Sequence, residues 1–167
     1  MNFKFFIISI LIISGLAGTA FAQTNLVEKE FTQEEIDVMK NKAALITLNS
    51  GTLLIEFYPE DAPNTVHNFL QLAESGYYDG VVFHRIIPGF VIQAGDPNTK
   101  DAESDRSLWG QGGPGYSIGE EFNTIKHEPG IVSMARGSHH DSAGSQFFIV
   151  IGNAPNLDGK YTVFGKL

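Results

Sequence analysis

Apolar positions along the chain fall into short runs broken by Gly-, Asn- and Ser-containing segments. Ala44–Leu48 and Thr52–Tyr58 flank Asn49-Ser50-Gly51, a β-hairpin pattern. Val81–Ile87, Phe90–Ala94, Gly130–Ala135, Gln146–Ile151 and Tyr161–Gly165 read as further strands. Two stretches follow the helical period instead. Thr32, with Glu35 three residues on, forms a capping-box pattern that starts a short helix reaching to about Lys42. Pro63 suits a first helical position. Val66, Phe69, Leu70 and Ala73 then share one face, and Gly76 stops the helix. Many short strands with Gly-rich connections predict a mainly β chain, either an antiparallel β-barrel or a sandwich. In a barrel, the Pro63 helix would cover one mouth.

The first residues carry a different pattern. Lys4 gives a positive start, Phe5–Leu16 is a short apolar run, and Ala20-Phe21-Ala22 is a small-x-small cleavage site, so Met1–Ala22 reads as a signal peptide. The run is short for a membrane span of about 20 residues. The alternative is a retained N-terminal anchor. Leu16-Ala17-Gly18-Thr19 approaches a bacterial lipoprotein signal but has Thr19 where that signal needs an acylated Cys. The expectation is an exported protein, without a membrane anchor after signal cleavage. The layout is then a signal peptide at 1–22, an N-terminal extension with a short helix at 23–42, and one domain at 43–167. The chain has no cysteine. An exported protein held together by packing alone fits the bacterial periplasm.

Composition narrows the function. The 167 residues suffice for one sizeable core. The formal net charge of −8, with no basic run, argues against nucleic acid as a partner. His84, His127, His139 and His140 do not fall at the fixed spacing a zinc site needs, so no metal is expected. Gly110-Gln111-Gly112-Gly113-Pro114-Gly115 lacks the Lys-Ser/Thr and the strand-to-helix context of a phosphate loop. Ser, His and Asp are present for a hydrolase, but as an inventory only, which is not the geometry of a triad.

The most informative run is Phe83-His84-Arg85-Ile86-Ile87-Pro88-Gly89-Phe90-Val91-Ile92-Gln93-Ala94-Gly95-Asp96. It places one cation and one amide among large apolar residues. That combination suits a mostly apolar ligand needing one well-aimed hydrogen bond. On residue type alone, Arg85 equally reads as a surface arginine whose stem covers apolar area. Phe90, Val91, Phe148, Leu157 and Tyr161 could line a pocket or simply form core. Phe147 and Phe148 are adjacent, so on a strand they face opposite sides.

This run resembles the signature of the cyclophilins, the peptidyl-prolyl cis-trans isomerases. Ser142-Ala143-Gly144-Ser145-Gln146-Phe147-Phe148-Ile149 and Leu157-Asp158-Gly159-Lys160-Tyr161-Thr162-Val163-Phe164-Gly165-Lys166 resemble the family as well, in family order over residues 43–167. The resemblance implies a closed antiparallel β-barrel and isomerase activity on proline-containing unfolded or extended polypeptides, with no cofactor. It implies Arg85 as the catalytic residue. Phe90, Val91, Phe148 and Leu157 would surround the proline ring, and Phe147 would stay in the core. Gln93 and Gln146 would hold the peptide or orient Arg85. Ala135 and Arg136 would form the groove wall, and Tyr161 would stand where the family often has His. The rival on the same barrel is a non-catalytic peptide-binding chaperone.

Two departures matter. Asn156 stands where the family often has Trp, which implies weak cyclosporin binding. The family continues past the Val163–Lys166 strand with a second helix and a closing strand, whereas this chain stops at Leu167. The expectation is therefore that the closing strand is absent and that Ala44–Leu48 is left as an open edge.

Overall fold

The structure, a computed structural model, describes residues 9–14, 29–101, 103 and 105–167. The elements are β1 (Ser9–Ser14), α1 (Gln33–Lys40), β2 (Lys42–Leu48), β3 (Gly51–Phe57), α2 (Pro63–Glu74), β4 (Arg85–Ile87), β5 (Val91–Ala94), β6 (Ile131–Met134), β7 (Phe147–Val150) and β8 (Val163–Lys166).

Local chemistry accounts for the helices. Thr32 caps α1, accepting from the Glu35 N–H, while the Glu35 carboxylate accepts from the Thr32 N–H at 2.9 Å. That reciprocal pair satisfies two donors that the first helical turn leaves open. Pro63 sits at the start of α2, where its missing N–H costs nothing. Gly76, just beyond the helix, has φ +73°, a conformation that disfavours a Cβ.

The strands form one antiparallel sheet in the order β1-β2-β3-β8-β6-β7-β5-β4. It curls into a half-barrel rather than closing. This corrects the expected closed barrel: β1 and β4 are the two edges and do not pair. One reason is that β4 has only three residues. Val81, Val82 and Phe83, expected as strand, are instead buried by their side chains outside the ladder. The Val82 N–H goes to the Thr99 hydroxyl at 3.1 Å, and Val82 makes only a single-residue bridge.

In the full chain the Ala44–Leu48 edge is covered, so the open edge expected there concerns the chain without residues 1–22. β1 pairs with β2 from Ser9↔Thr47 to Ser14↔Lys42. An extended Ile/Leu run thus takes the ladder positions that would otherwise face solvent. This strand falls inside the segment read as a signal peptide. The rest of that segment, with the expected cleavage site Ala20-Phe21-Ala22, lies outside the described residues.

The alternation of each strand sorts the apolar residues between two faces. Ile46, Ile55, Phe57, Ala94, Val132, Met134, Phe147, Ile149 and Phe164 form one cluster with α2. Phe69 of α2 is its centre, with ring centroids 5.0 Å from Tyr78, 5.2 Å from Phe164 and 5.4 Å from Phe147. Burying such a ring contributes roughly 1.5–3 kcal/mol. Val91, Ile131, Phe148, Val150, Leu157 and Val163 form the second cluster, on the other face.

Candidate active site

Strand register alone builds a row across the second face. Arg85 on β4 is opposite Gln93 on β5, Gln93 is opposite Phe148 on β7, and Phe148 is opposite Ser133 on β6. Residues opposite each other in an antiparallel sheet project to the same side. The row therefore places a cation, an amide, an aromatic ring and a hydroxyl side by side.

The polar end of the row is hydrogen-bonded in series. Arg85 Nη1 donates to Gln93 Oε1 at 3.3 Å. Gln93 Nε2 donates to Gln146 Oε1 at 2.9 Å. Gln146 Nε2 donates to the Gly112 carbonyl at 2.8 Å. Each amide uses its oxygen toward Arg85 and its nitrogen away from it, which fixes both orientations. Arg85 itself is exposed. A cavity of about 360 Å³ opens beside the glutamines, bounded by Gly112, Ala135, Arg136 and Ser145 among others.

The apolar end gathers the remaining sequence candidates. Phe90, Ala135 and Tyr161 pack on the cluster of Val91, Phe148 and Leu157. Tyr161 meets Phe148 edge-on at 5.6 Å. Arg136 braces this wall from outside. Its guanidinium lies 4.8 Å from the Tyr161 ring centre and 5.6 Å from that of Phe122, and its Nε donates to the Lys160 carbonyl at 3.0 Å. All ten sequence candidates thus lie along one surface. Phe147 points to the opposite face and is fully buried.

Three residues with no assigned role sit beneath Phe148. The His127 ring stacks at 6.0 Å from Phe148. Its Nδ1 lies 3.1 Å from Asp158 Oδ1 and its Nε2 lies 3.1 Å from Ser133 Oγ. The order Ser133–His127–Asp158 is that of a hydrolase triad. Ser133 is fully buried, however, and its Oγ is 2.8 Å from the Thr162 carbonyl. A nucleophile must reach substrate, so this network braces the loop of Leu157 and Tyr161 instead. His139 and His140, adjacent in sequence, diverge to Asp141 and Glu120 respectively.

Sequence reasoning missed Asp96, the last residue of the signature run. It is fully buried and holds the Gly110–Gly112 loop through backbone N–H groups. An acidic residue directly after a glycine and before a proline was the available signal, since that setting favours a side chain bonding to nearby backbone.

Burial holds His67, His84 and His127 below their usual pKa; for His127 the hydrogen bond to Asp158 opposes this. The native state thus binds protons less readily than the unfolded chain. These groups contribute stability that is intact above about 6.5 and lost as pH falls through their folded values. Denaturant unfolding should show lower stability at pH 5.5 than at pH 7.5, with a shallower drop in His127→Gln. Equal stability at both pH values would contradict this.

The sequence profile described as "Cyclophilin type peptidyl-prolyl cis-trans isomerase/CLD" matches residues 43–167. The chain belongs to that family. It is 47% identical over 129 residues to peptidyl-prolyl cis-trans isomerase B of Bacillus subtilis, covering 75% of this chain and 83% of that protein. It is 41% identical over 174 residues to a peptidyl-prolyl cis-trans isomerase-like 2 of Cryptococcus neoformans, covering 92% of this chain but only 30% of that longer protein. A crystal structure of a Cryptosporidium parvum cyclophilin-type isomerase, determined in the presence of the dipeptide Ala-Pro, superposes with a TM-score of 0.66 at 38% identity. The match covers 75% of this chain and 77% of that one.

Proposed function

We propose that this chain catalyses cis-trans isomerisation of X-Pro bonds in exported polypeptides. The observation that carries the reading is the Arg85 guanidinium, held on an amide relay at the rim of an apolar cluster. Partial double-bond character gives X-Pro rotation a barrier of about 18–20 kcal/mol and exchange times of tens to hundreds of seconds. In the twisted transition state the prolyl nitrogen loses conjugation and gains a lone pair. A donor aimed at that lone pair stabilises the transition state more than the ground state. A guanidinium is always charged and geometrically rigid, which suits the task. Lowering the barrier by about 7 kcal/mol would accelerate exchange about 10⁵-fold.

In this reading, Phe90, Val91, Phe148 and Leu157 hold the proline ring. Tyr161 and Ala135 extend the wall, and Arg136 contributes main-chain contacts. Gln93 and Gln146 bind the peptide backbone as well as Arg85. The dipeptide used with the Cryptosporidium relative supports a prolyl substrate. The mechanism needs no covalent intermediate and no cofactor. The export reading rests on the residue pattern of Met1–Ala22 and on the missing cysteines. Among the described residues, no helix is long and apolar enough to cross a membrane.

A proline-limited refolding assay tests the activity, and fractionation of cells expressing the full chain tests export. An unchanged refolding rate would overturn the first, and retention in the cytosol the second.

Asn156 bears on inhibition. It is exposed, on the short turn Pro155–Leu157 next to the apolar cluster. It offers neither an indole N–H nor an indole's apolar area, each worth about 1–3 kcal/mol. Calorimetry should show weak cyclosporin binding by this chain and tighter binding by Asn156→Trp; equal affinities would refute the assignment.

A further inference from the structure

The hydrogen-bond series that starts at Arg85 does not end at Gly112. The Gly112 N–H donates to Asp96 Oδ2 at 3.2 Å, and the Gly110 N–H donates to the same oxygen. Asp96 Oδ1 accepts from the Asn98 N–H at 2.8 Å. The carboxylate is fully buried. Three backbone donors converge on it, which is how a buried charge is made tolerable.

Its backbone is fixed on both sides. Gly95 has φ +91°, and a Cβ there would collide with the Ser145 carbonyl. The Asp96 carbonyl accepts from the Thr99 hydroxyl at 2.7 Å. Across the gap, Gly112 approaches so closely that an added Cβ would collide with Asp96 Oδ1. The site therefore requires an acid on one side and a glycine on the other.

We propose that Asp96 is a positioning residue for the isomerase reaction. By pinning the Gly110–Gly112 loop, it sets where the Gly112 carbonyl stands. That carbonyl fixes the orientation of the Gln146 amide, Gln146 fixes Gln93, and Gln93 Oε1 presents Arg85 to the substrate. Asp96 touches neither substrate nor Arg85. Without the pin, the loop carbonyl moves, Gln146 is free to turn over, and Arg85 samples more directions. Ground-state binding by the apolar cluster is untouched, and only the backbone contacts of Gln146 weaken, so the loss falls more on kcat than on KM.

This proposal rests on the isomerase reading, and its test separates the two. Asp96→Asn keeps the shape but replaces one acceptor oxygen with a donor facing an N–H. Gly112→Ala attacks the same link from the other side and serves if Asp96→Asn does not fold. Either variant should lose about 10-fold or more in kcat, with a smaller rise in KM from the loosened Gln146. In a Gln146→Ala background the same substitution should cost less than about 2-fold, because the relay is already cut. Nitrogen-15 NMR should show faster solvent exchange of the Gln146 side-chain amide in Asp96→Asn than in the parent. The NMR result stands even if the parent proves inactive, in which case only the isomerase reading falls. A folded Asp96→Asn protein with parental kcat, equal losses in both backgrounds, or an unchanged Gln146 amide would overturn the proposal.

Discussion

Arg85→Ala is expected to lower kcat/KM on an Ala-Pro peptide by about 10²–10³-fold, the usual cost of removing one electrostatic donor from a transition state. The melting temperature should barely move. Arg85 is exposed, on a short edge strand, and its bond to Gln93 is long at 3.3 Å. Exposed polar contacts of that kind contribute little to stability. Arg85→Lys should also be poor. An ammonium keeps the charge but lacks the planar fork that can bond Gln93 and still face the substrate. Both variants should retain peptide affinity, because the Phe90, Val91, Phe148 and Leu157 cluster does not depend on Arg85. A folded Arg85→Ala protein with near-parental kcat/KM would sink the electrostatic mechanism.

The family resemblance named the site residues, and strand alternation added how they sort between faces. Alternation placed Phe147 and Phe148 on opposite faces, and the register of β4, β5 and β7 then aligned Arg85, Gln93 and Phe148. The capping box at Thr32 and the stop at Gly76 were equally legible, since each depends on a few neighbouring residues. Features that depend on distant partners were not. Val81, Val82 and Phe83 have a strand composition but are buried outside the ladder, and only the surrounding core decides between the two. Asp96 and Gly112 are 16 positions apart, so nothing local announces their contact. His127, Ser133 and Asp158 meet only once three separate segments fold together. The openness of the sheet was hidden for the same reason: closure depends on which strand reaches an edge, and composition does not determine that.

The edge at β2 leads to the second large effect. A variant lacking residues 1–22 is expected to melt at lower temperature than the full chain and to aggregate. β1 supplies the outer partner of β2 over six residue pairs and also runs beside α2. Removing it exposes a β2 edge whose sequence, Lys42-Ala43-Ala44-Leu45-Ile46-Thr47-Leu48, is apolar past its first residue except for Thr47. A long, apolar edge with a single charge at its start is a template for pairing with another chain. The main core would lose cover as well: Ala44 and Ile46, both fully buried, belong to it. Domain stabilities are only about 5–15 kcal/mol, so an uncovered strand can consume much of the margin. This matters for the export reading, because signal cleavage after Ala22 would remove the same strand. A family-like C-terminal segment, added to the shortened chain, should cover β2 in place of β1 and restore the melt. Thermal unfolding and light scattering of the three proteins at matched concentration make the comparison. If the shortened chain remains monomeric and melts where the full chain does, β2 needs no partner at that edge, and Ser9–Ser14 does not stabilise the fold.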